Sequence, residues 1–313
     1  MQNVVLLFPG QGSQAPGMGK DLAQRFPLAR EVFEAANVAI DAPLSRLCFE
    51  GPAEELTRTL NAQPALLTHG AAVWAVVREE IGARVVAAAG HSLGEFTAYH
   101  AADAMLLPEA VRLVRARGEL MFEAGVKRAG AMAAILGTLT VSIEEICEQA
   151  TAEAGLAVPA NFNSPGQIVI SGEAAGVDRA IELAKIAGAK GKRLNVSGAF
   201  HSPLMQSAAA GLATALERAH IADPRFPVYA NVNAQPVKDA ALARRLLIDQ
   251  LTMPVQWIRE IEALSLLHPD ALFIEMGPGT VLKGLVKKIA PHLNVVSCGT
   301  GADVDALLTL VSA

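Results

Sequence analysis

Cysteine is scarce in this chain. Cys48, Cys147 and Cys298 are the only three in 313 residues, far apart and without C-x-x-C spacing. That argues against a disulfide framework or a cysteine-bound metal site, and a reduced, cytoplasmic protein is expected. Positive charge is not in surplus either. With 26 Lys and Arg against 31 Asp and Glu the net charge is −5, which speaks against a nucleic-acid binder, because neutralising phosphates needs a basic face. No apolar run reaches membrane-spanning length. The start, M-Q-N-V-V-L-L-F-P-G, lacks the basic segment and long apolar stretch of a signal peptide. The expectation is a soluble protein that enters neither membrane nor nucleic-acid complexes. Aromatics amount to only 4% while alanine is abundant, as suits helices packed closely on a sheet. Hydrophobic content of 52% against 18% charged supports a substantial core.

The most informative stretch is V-V-A-A-A-G-H-S-L-G-E-F, residues 85–96. A β-branched, apolar start runs into G-x-S-x-G, the nucleophile elbow, in which a strand turns sharply into a helix with serine at the tip. Gly90 and Gly94 lack the Cβ atoms that would clash in so tight a turn, and Ser92 stands between them. The helix that follows points free N–H groups toward any anion forming beside that serine.

The loop G-Q-G-S-Q-A-P-G-M-G-K after the first apolar run fits two nucleotide-binding patterns poorly. Pro16 and Gly17 interrupt the helix that a dinucleotide fold requires. A phosphate-binding loop ending at Lys20 lacks its first glycine and its hydroxyl residue. An amide-rich loop at a strand's end is what survives.

Read in order, the chain alternates strands (3–8, 85–90) with helices (19–36, 53–60, 61–82 with Asn61 as cap, elbow to 102, 108–125). From 129 to 196 the rhythm becomes β-α-β-β-α-β, a ferredoxin-like unit. Then follow a helix from Ser202, a strand near Val228-Tyr229, helices 239–251 and 256–266, a strand at 271–275, a helix at 280–289 and a strand at 294–297. The expected fold is α/β: a hydrolase-like large domain with a mainly parallel sheet (1–128 plus 197–313) carrying an inserted ferredoxin-like subdomain (129–196).

Two polar residues fall on apolar helix faces. Arg117 shares its face with Leu113, Leu120 and Ala124, while Arg112 and Arg115 point away. A buried arginine needs an anion, because its charge cannot be titrated away. That anion is either a core carboxylate or one brought by a substrate, unless the side chain snorkels out. Gln250 lies in the arc of Ala243, Leu246 and Leu247, and either a backbone contact or a site contact satisfies it. A serine nucleophile also needs a base. His91 adjoins Ser92, and adjacent side chains diverge at such a turn. His69, His100, His220, His268 and His292 suit solvated or capping roles. His201, in S-G-A-F-H-S-P where the chain re-enters the large domain, is the best candidate.

With these residues in view, the chain resembles the malonyl-CoA:acyl carrier protein transacylase family of bacterial fatty-acid synthesis. The likeness runs over nearly its whole length, through P-G-Q-G-S-Q (9–14), Q-P-A-L-L (63–67), G-H-S-L-G-E (90–95), R-A-R-G-E-L-M (115–121), N-S-P-G-Q-I-V-I-S-G (163–172), G-A-F-H-S-P-L-M (198–205) and E-M-G-P-G (275–279). The resemblance implies a serine acyltransferase in which Ser92 is the nucleophile and His201 the base. It implies that the backbone amides of Gln11 and Leu93 form the oxyanion hole, that Arg117 holds the malonyl carboxylate and that Gln250 orients His201. Gln63 and Asn163 would line the pocket. It implies malonyl-CoA as substrate, acyl carrier protein with its phosphopantetheine thiol as partner, no metal and no cofactor of its own, and a monomer. Phe96 and His100 depart from the residues expected around the elbow. Ala199-Phe200 resembles the malonyl-selecting form of its loop. Lys283, Lys287 and Lys288, or Lys190, Lys192 and Arg193, are candidate basic patches for an acidic carrier. A serine esterase shares the elbow but would normally add an acid between serine and histidine. A non-catalytic scaffold of the same fold would form no covalent adduct.

Overall fold

A computed structural model describes residues 2–312. Two sheets organise it. The larger has six strands in the order β10-β9-β1-β2-β7-β8. These are β1 (Val4–Phe8), β2 (Val85–Gly90), β7 (Val228–Tyr229), β8 (Pro236–Val237), β9 (Leu272–Met276) and β10 (Asn294–Cys298). All neighbours pair in parallel except the edge hairpin β7–β8. Every residue of β1 is buried. Val4, Leu6 and Phe8 join the main core on one face, and Val5 and Leu7 a second core on the other. A central parallel strand covered on both faces reads as a continuous apolar run, hence V-V-L-L-F.

The smaller sheet takes all its strands from residues 131–193: β3 (Ala131–Leu136), β4 (Ala157–Ser164), β5 (Gln167–Gly172) and β6 (Lys190–Arg193). They are antiparallel, in the order β4-β5-β3-β6, with helices Ile143–Ala154 and Ala174–Ile186 supplying the crossovers. This is the ferredoxin-like arrangement. Strand β4 also bridges to the large sheet's side of the molecule, pairing Asn161 with Val255.

The helix Thr59–Ile81 is buried on nearly all sides and is the spine of the main core. Pro64 lies inside it, leaving the Leu60 carbonyl without its intrahelical donor. Arg115 Nη1 donates to that oxygen at 3.2 Å. Arg115 belongs to the neighbouring helix Leu107–Lys127, and Gly118, about one turn further along it, lets the two helices touch. A Cβ on Gly118 would lie 2.7 Å from Leu60 Cα. The close approach brings Arg117 alongside Gln63.

Local details differ from expectation. The helix expected over 19–36 breaks into Lys20–Arg25 and Pro27–Ile40, because Pro27 lacks an N–H to continue the first and instead starts the second. Asn61 does not cap its helix: it lies inside it, and its side chain donates to the Glu55 carbonyl. Helices Leu44–Glu50 and Gly301–Ser312 and strand β8 were not expected. The segment after Ser202 begins as a single 3₁₀ turn, Pro203–Met205, before the helix Gln206–Arg218.

The elbow between β2 and the helix Leu93–Ala101 is the tightest packing point. A Cβ on Gly90 would sit 1.9 Å from the Gly94 carbonyl carbon, and one on Gly94 would sit 2.0 Å from the Phe8 carbonyl oxygen. These neighbours are backbone and cannot rotate away. Gly90→Ala and Gly94→Ala are each expected to cost at least about 3 kcal/mol, at or beyond the upper end of ordinary overpacking. Denaturant unfolding checks this, and a loss below about 1 kcal/mol would mean that the turn is not this tight.

Candidate active site

Ser92 leaves β2 with φ 52° and ψ −106°, outside both helix and strand regions, and the helix begins at Leu93. The turn is held by His91 N–H donating to Phe8 O at 2.9 Å and Ser92 N–H donating to Asn231 Oδ1 at 2.7 Å. The next amides close on the turn itself, Gly94 to His91 O and Glu95 to Ser92 O. The Leu93 amide, between them, has no acceptor among the described residues, and neither has that of Gln11 in the loop after β1. Both residues line a cavity of about 260 Å³ that also contains Ser92, His201, Arg117 and Gln63.

His201 has φ 55°, a second backbone conformation that L-residues seldom adopt. Its Nε2 is 2.9 Å from Ser92 Oγ and its Nδ1 is 2.8 Å from the Gln250 carbonyl oxygen. A carbonyl only accepts, so Nδ1 carries the proton and Nε2 presents its lone pair to the serine hydroxyl. Gln250 therefore meets His201 through its backbone, at the C-terminal end of the helix Ala240–Asp249. Its side-chain amide turns the other way, toward Arg117. Burial, followed by the nearby Arg117 charge, pushes the His201 pKa down to about 3.

Arg117 is buried, with 1% of its surface exposed, yet forms no ion pair among the described residues. Nη1 donates to Gln63 Oε1 at 2.7 Å, and Nη2 donates to Gln250 Oε1 at 2.8 Å and to Ser92 Oγ at 3.2 Å. Its Nε is buried without a partner among the described residues. The guanidinium carbon stands 5.6 Å from the Phe96 ring centroid, so the unexpected phenylalanine packs on the cation. Of the two anions the sequence allowed, a core carboxylate in direct contact is absent. Neutral amides hold the fork, and an incoming carboxylate can replace them.

Asn163, at the end of β4, accepts from His91 Nε2 at 2.7 Å and ties the small sheet to the elbow. His91 does diverge from the serine, and it faces the cavity as a half-buried ring whose pKa is pushed down by desolvation against the Asn163 hydrogen bond. His69, expected in a solvated or capping role, is buried with Nε2 2.8 Å from Gly299 O. Of the basic patches, Lys190 and Lys192 are exposed, Arg193 is engaged by Asp178, and Lys287 Nζ donates to Leu293 O.

Three residues of the site went unnoticed in the sequence: Glu95, Asn231 and Glu260, all buried beneath the elbow. Asn231 Nδ2 donates to Gly90 O at 2.7 Å and to Glu260 Oε1 at 3.1 Å, and Gln250 Nε2 donates to Glu95 Oε2 at 2.6 Å. Glu260 carried a signal, since it shares a helix face with Trp257, Ile261 and Leu264, as Arg117 does with its own apolar neighbours. Asn231 follows a two-residue strand, too short for any periodicity.

With His201 held neutral, lowering the pH should not cost it the lone pair until far below the ordinary histidine range. Labelling of Ser92 by a neutral serine-directed fluorophosphonate is expected to proceed at the same rate from pH 8 to pH 5. A rate that halves near pH 6.5 would show an ordinary histidine.

The model of the acyl transferase domain family matches residues 5–298. A malonyl CoA-acyl carrier protein transacylase of Bacillus subtilis (strain 168) is 47% identical over 312 residues, covering 99% of this chain and 98% of that protein. An acyl-carrier-protein-S-malonyltransferase from Bartonella henselae superposes with a TM-score of 0.94 at 41% identity, covering 99% of this chain and 100% of that one. A malonyl-transacylase solved in complex with a type II PKS acyl-carrier protein gives 0.94 at 39% identity, covering 98% and 99%. The chain belongs to the acyl transferase domain family, among its malonyl CoA-acyl carrier protein transacylases.

Proposed function

We propose that this protein moves the malonyl group from malonyl-CoA to the phosphopantetheine thiol of an acyl carrier protein, through a malonyl ester on Ser92, to supply fatty-acid synthesis. The observation that carries the reading is Arg117, a buried cation 3.2 Å from the nucleophile and without a carboxylate partner. An esterase need not bury such a group in its acyl pocket.

In this mechanism Ser92 Oγ attacks the thioester carbonyl as its proton passes to His201 Nε2. The amides of Gln11 and Leu93 receive the developing oxyanion. Donors of this kind contribute about 3 kcal/mol each in other enzymes. The C–S bond breaks and the departing sulfur takes the proton from His201 Nε2, leaving malonyl-serine and CoA. The carrier's thiol then gives its proton to His201, its sulfur attacks the ester, and Ser92 leaves with the proton restored. Arg117 binds the malonyl carboxylate bidentately. That carboxylate also cancels the positive field that helps hold His201 acidic, so the base strengthens when substrate is seated. Gln63, one of the amides already on the guanidinium, and Asn163, through His91, shape the pocket around the acyl group.

The Gln250 carbonyl takes the place of the acid that orients histidine in many serine hydrolases. A neutral acceptor fixes the tautomer and adds no negative charge beside the malonyl carboxylate. Acyl carrier protein is the expected acceptor, on the grounds of full-length similarity to transacylases and a neighbour solved with its carrier. That neighbour's carrier serves a type II PKS, which makes a polyketide carrier the second reading.

Mixing the protein with malonyl-CoA and taking the intact mass should reveal a malonyl adduct that is absent in Ser92→Ala and moves to holo carrier protein on addition. An adduct lost to water with no acylated carrier would mean hydrolysis. Arg117→Ala is expected to lose malonyl transfer by 10²–10³-fold or more, the scale of removing one partner from a buried charge pair, at about 3–5 kcal/mol. Acetyl transfer should gain relative to malonyl. An unchanged malonyl-to-acetyl preference would remove Arg117 from the acyl pocket.

A further inference from the structure

Behind the Ser92–His201 pair, five buried polar side chains form one continuous chain of hydrogen bonds. Arg117 Nη2 donates to Gln250 Oε1 at 2.8 Å, and Gln250 Nε2 donates to Glu95 Oε2 at 2.6 Å. The Asn231 backbone amide also donates to Glu95 Oε2, at 3.2 Å, while the Asn231 side chain donates to Glu260. Glu95 Oε1 is buried with no partner among the described residues. Arg117, Glu95, Gln250, Asn231 and Glu260 are each at most 1% exposed.

The charges in this chain do not balance in one state only. Arg117 is the sole buried cation of the group, and Glu95 reaches it across one amide. The orientation of that amide is dictated by its ends: the oxygen must face the guanidinium and the nitrogen the carboxylate. A carboxylate at position 250 would pair with Arg117 directly and close it to substrate. The amide keeps the countercharge one residue back, so the fork stays charged and available.

We propose that Glu95 is the resident counter-ion of Arg117 in the empty enzyme, and that it takes up a proton when the malonyl carboxylate replaces it in that role. This rests on the reading of Arg117 as the malonyl site. Once an acyl carboxylate is bound, two ionised carboxylates would share one buried guanidinium, with a third carboxyl group, that of Glu260, nearby. Like charges confined at low dielectric do not both stay ionised.

The groups around Glu95 all favour uptake there. Arg117, on the helix Leu107–Lys127, is the one cation and its charge is consumed. Glu260, on the helix Trp257–Leu267, is pushed well above the usual carboxylate range by burial first and then by Glu95, against the Asn231 hydrogen bond. Tyr99, one turn further along the Glu95 helix, has a buried hydroxyl whose ionisation is suppressed by burial, with Glu95, Asp239 and Glu260 all contributing. His201 starts far below neutrality. Glu95 alone stands near neutral pH, raised to about 7 by burial against the pull of Gln250, Asn231 and Arg117.

The transfer step itself is proton-neutral, since the serine proton leaves on the CoA sulfur. Any net uptake during loading therefore belongs to the protein. The experiment follows single-turnover loading with malonyl-CoA in a weakly buffered solution containing a pH indicator, alongside intact mass. It uses the wild-type chain and Glu95→Gln. The substituted side chain keeps an oxygen for the two donors and places its amide nitrogen where Glu95 Oε1 has no partner, so the network is retained without the titrating group.

At pH 7.5 wild type should take up a proton, approaching one per malonyl-serine formed, whereas Glu95→Gln loads with none. From pH 7 to 8 the wild-type loading equilibrium, read at a fixed malonyl-CoA to CoA ratio, should fall by up to about tenfold per pH unit. In Glu95→Gln it should be flat. A malonyl adduct formed by wild type with no proton uptake would overturn the proposal, as would equal uptake by Glu95→Gln. If no adduct forms on wild type, the transacylase reading fails instead.

Discussion

The structure turns on a buried positive charge that the protein leaves without a direct negative partner. Isolated ions are strongly disfavoured in a protein interior, so such a charge persists only where surrounding dipoles support it. Arg117 has Gln63 and Gln250 on its guanidinium, Phe96 beneath it and Glu95 one amide away. This arrangement keeps the fork charged and dry. It also explains the helix contact at Gly118 and the arginine that covers the orphaned carbonyl before Pro64, since both hold the Arg117 helix against Gln63.

The nucleophile and the cation belong to one assembly. Gln250 touches Arg117 through its side-chain oxygen, the Ser92 carbonyl and Glu95 through its side-chain nitrogen, and His201 through its backbone. A single residue thereby sets the position of the base, the cation and the turn. Ser92 and His201 both stand on strained backbone and their side chains meet at 2.9 Å, and backbone strain of about 1–3 kcal/mol per residue persists only where neighbours over-determine it. Asn231 and the two elbow glycines are those neighbours at Ser92.

Much of this was legible in the sequence. The elbow could be read because steric exclusion permits only glycine at 90 and 94. Arg117 stood out because a helix repeats every 3.6 residues, which sets its charge on the apolar face of Leu113, Leu120 and Ala124. The β-α-β-β-α-β order of the small sheet followed from local periodicity. Glu95 was hidden because its burial is set by elements packing over the elbow, not by its own helix. Asn231 was hidden because two-residue strands carry no pattern.

By itself the sequence determined the local chemistry: a serine on a forced turn, an arginine on an apolar face, a histidine in a loop and a family likeness along the whole chain. Tertiary structure alone decided how these groups connect. It showed that a backbone carbonyl serves His201, that the Gln250 amide points to Arg117, and that Glu95 and Glu260 lie together under the nucleophile. Periodicity reports which face of an element is buried. Which atoms meet there depends on the packing of segments far apart in the chain, and no local pattern encodes that.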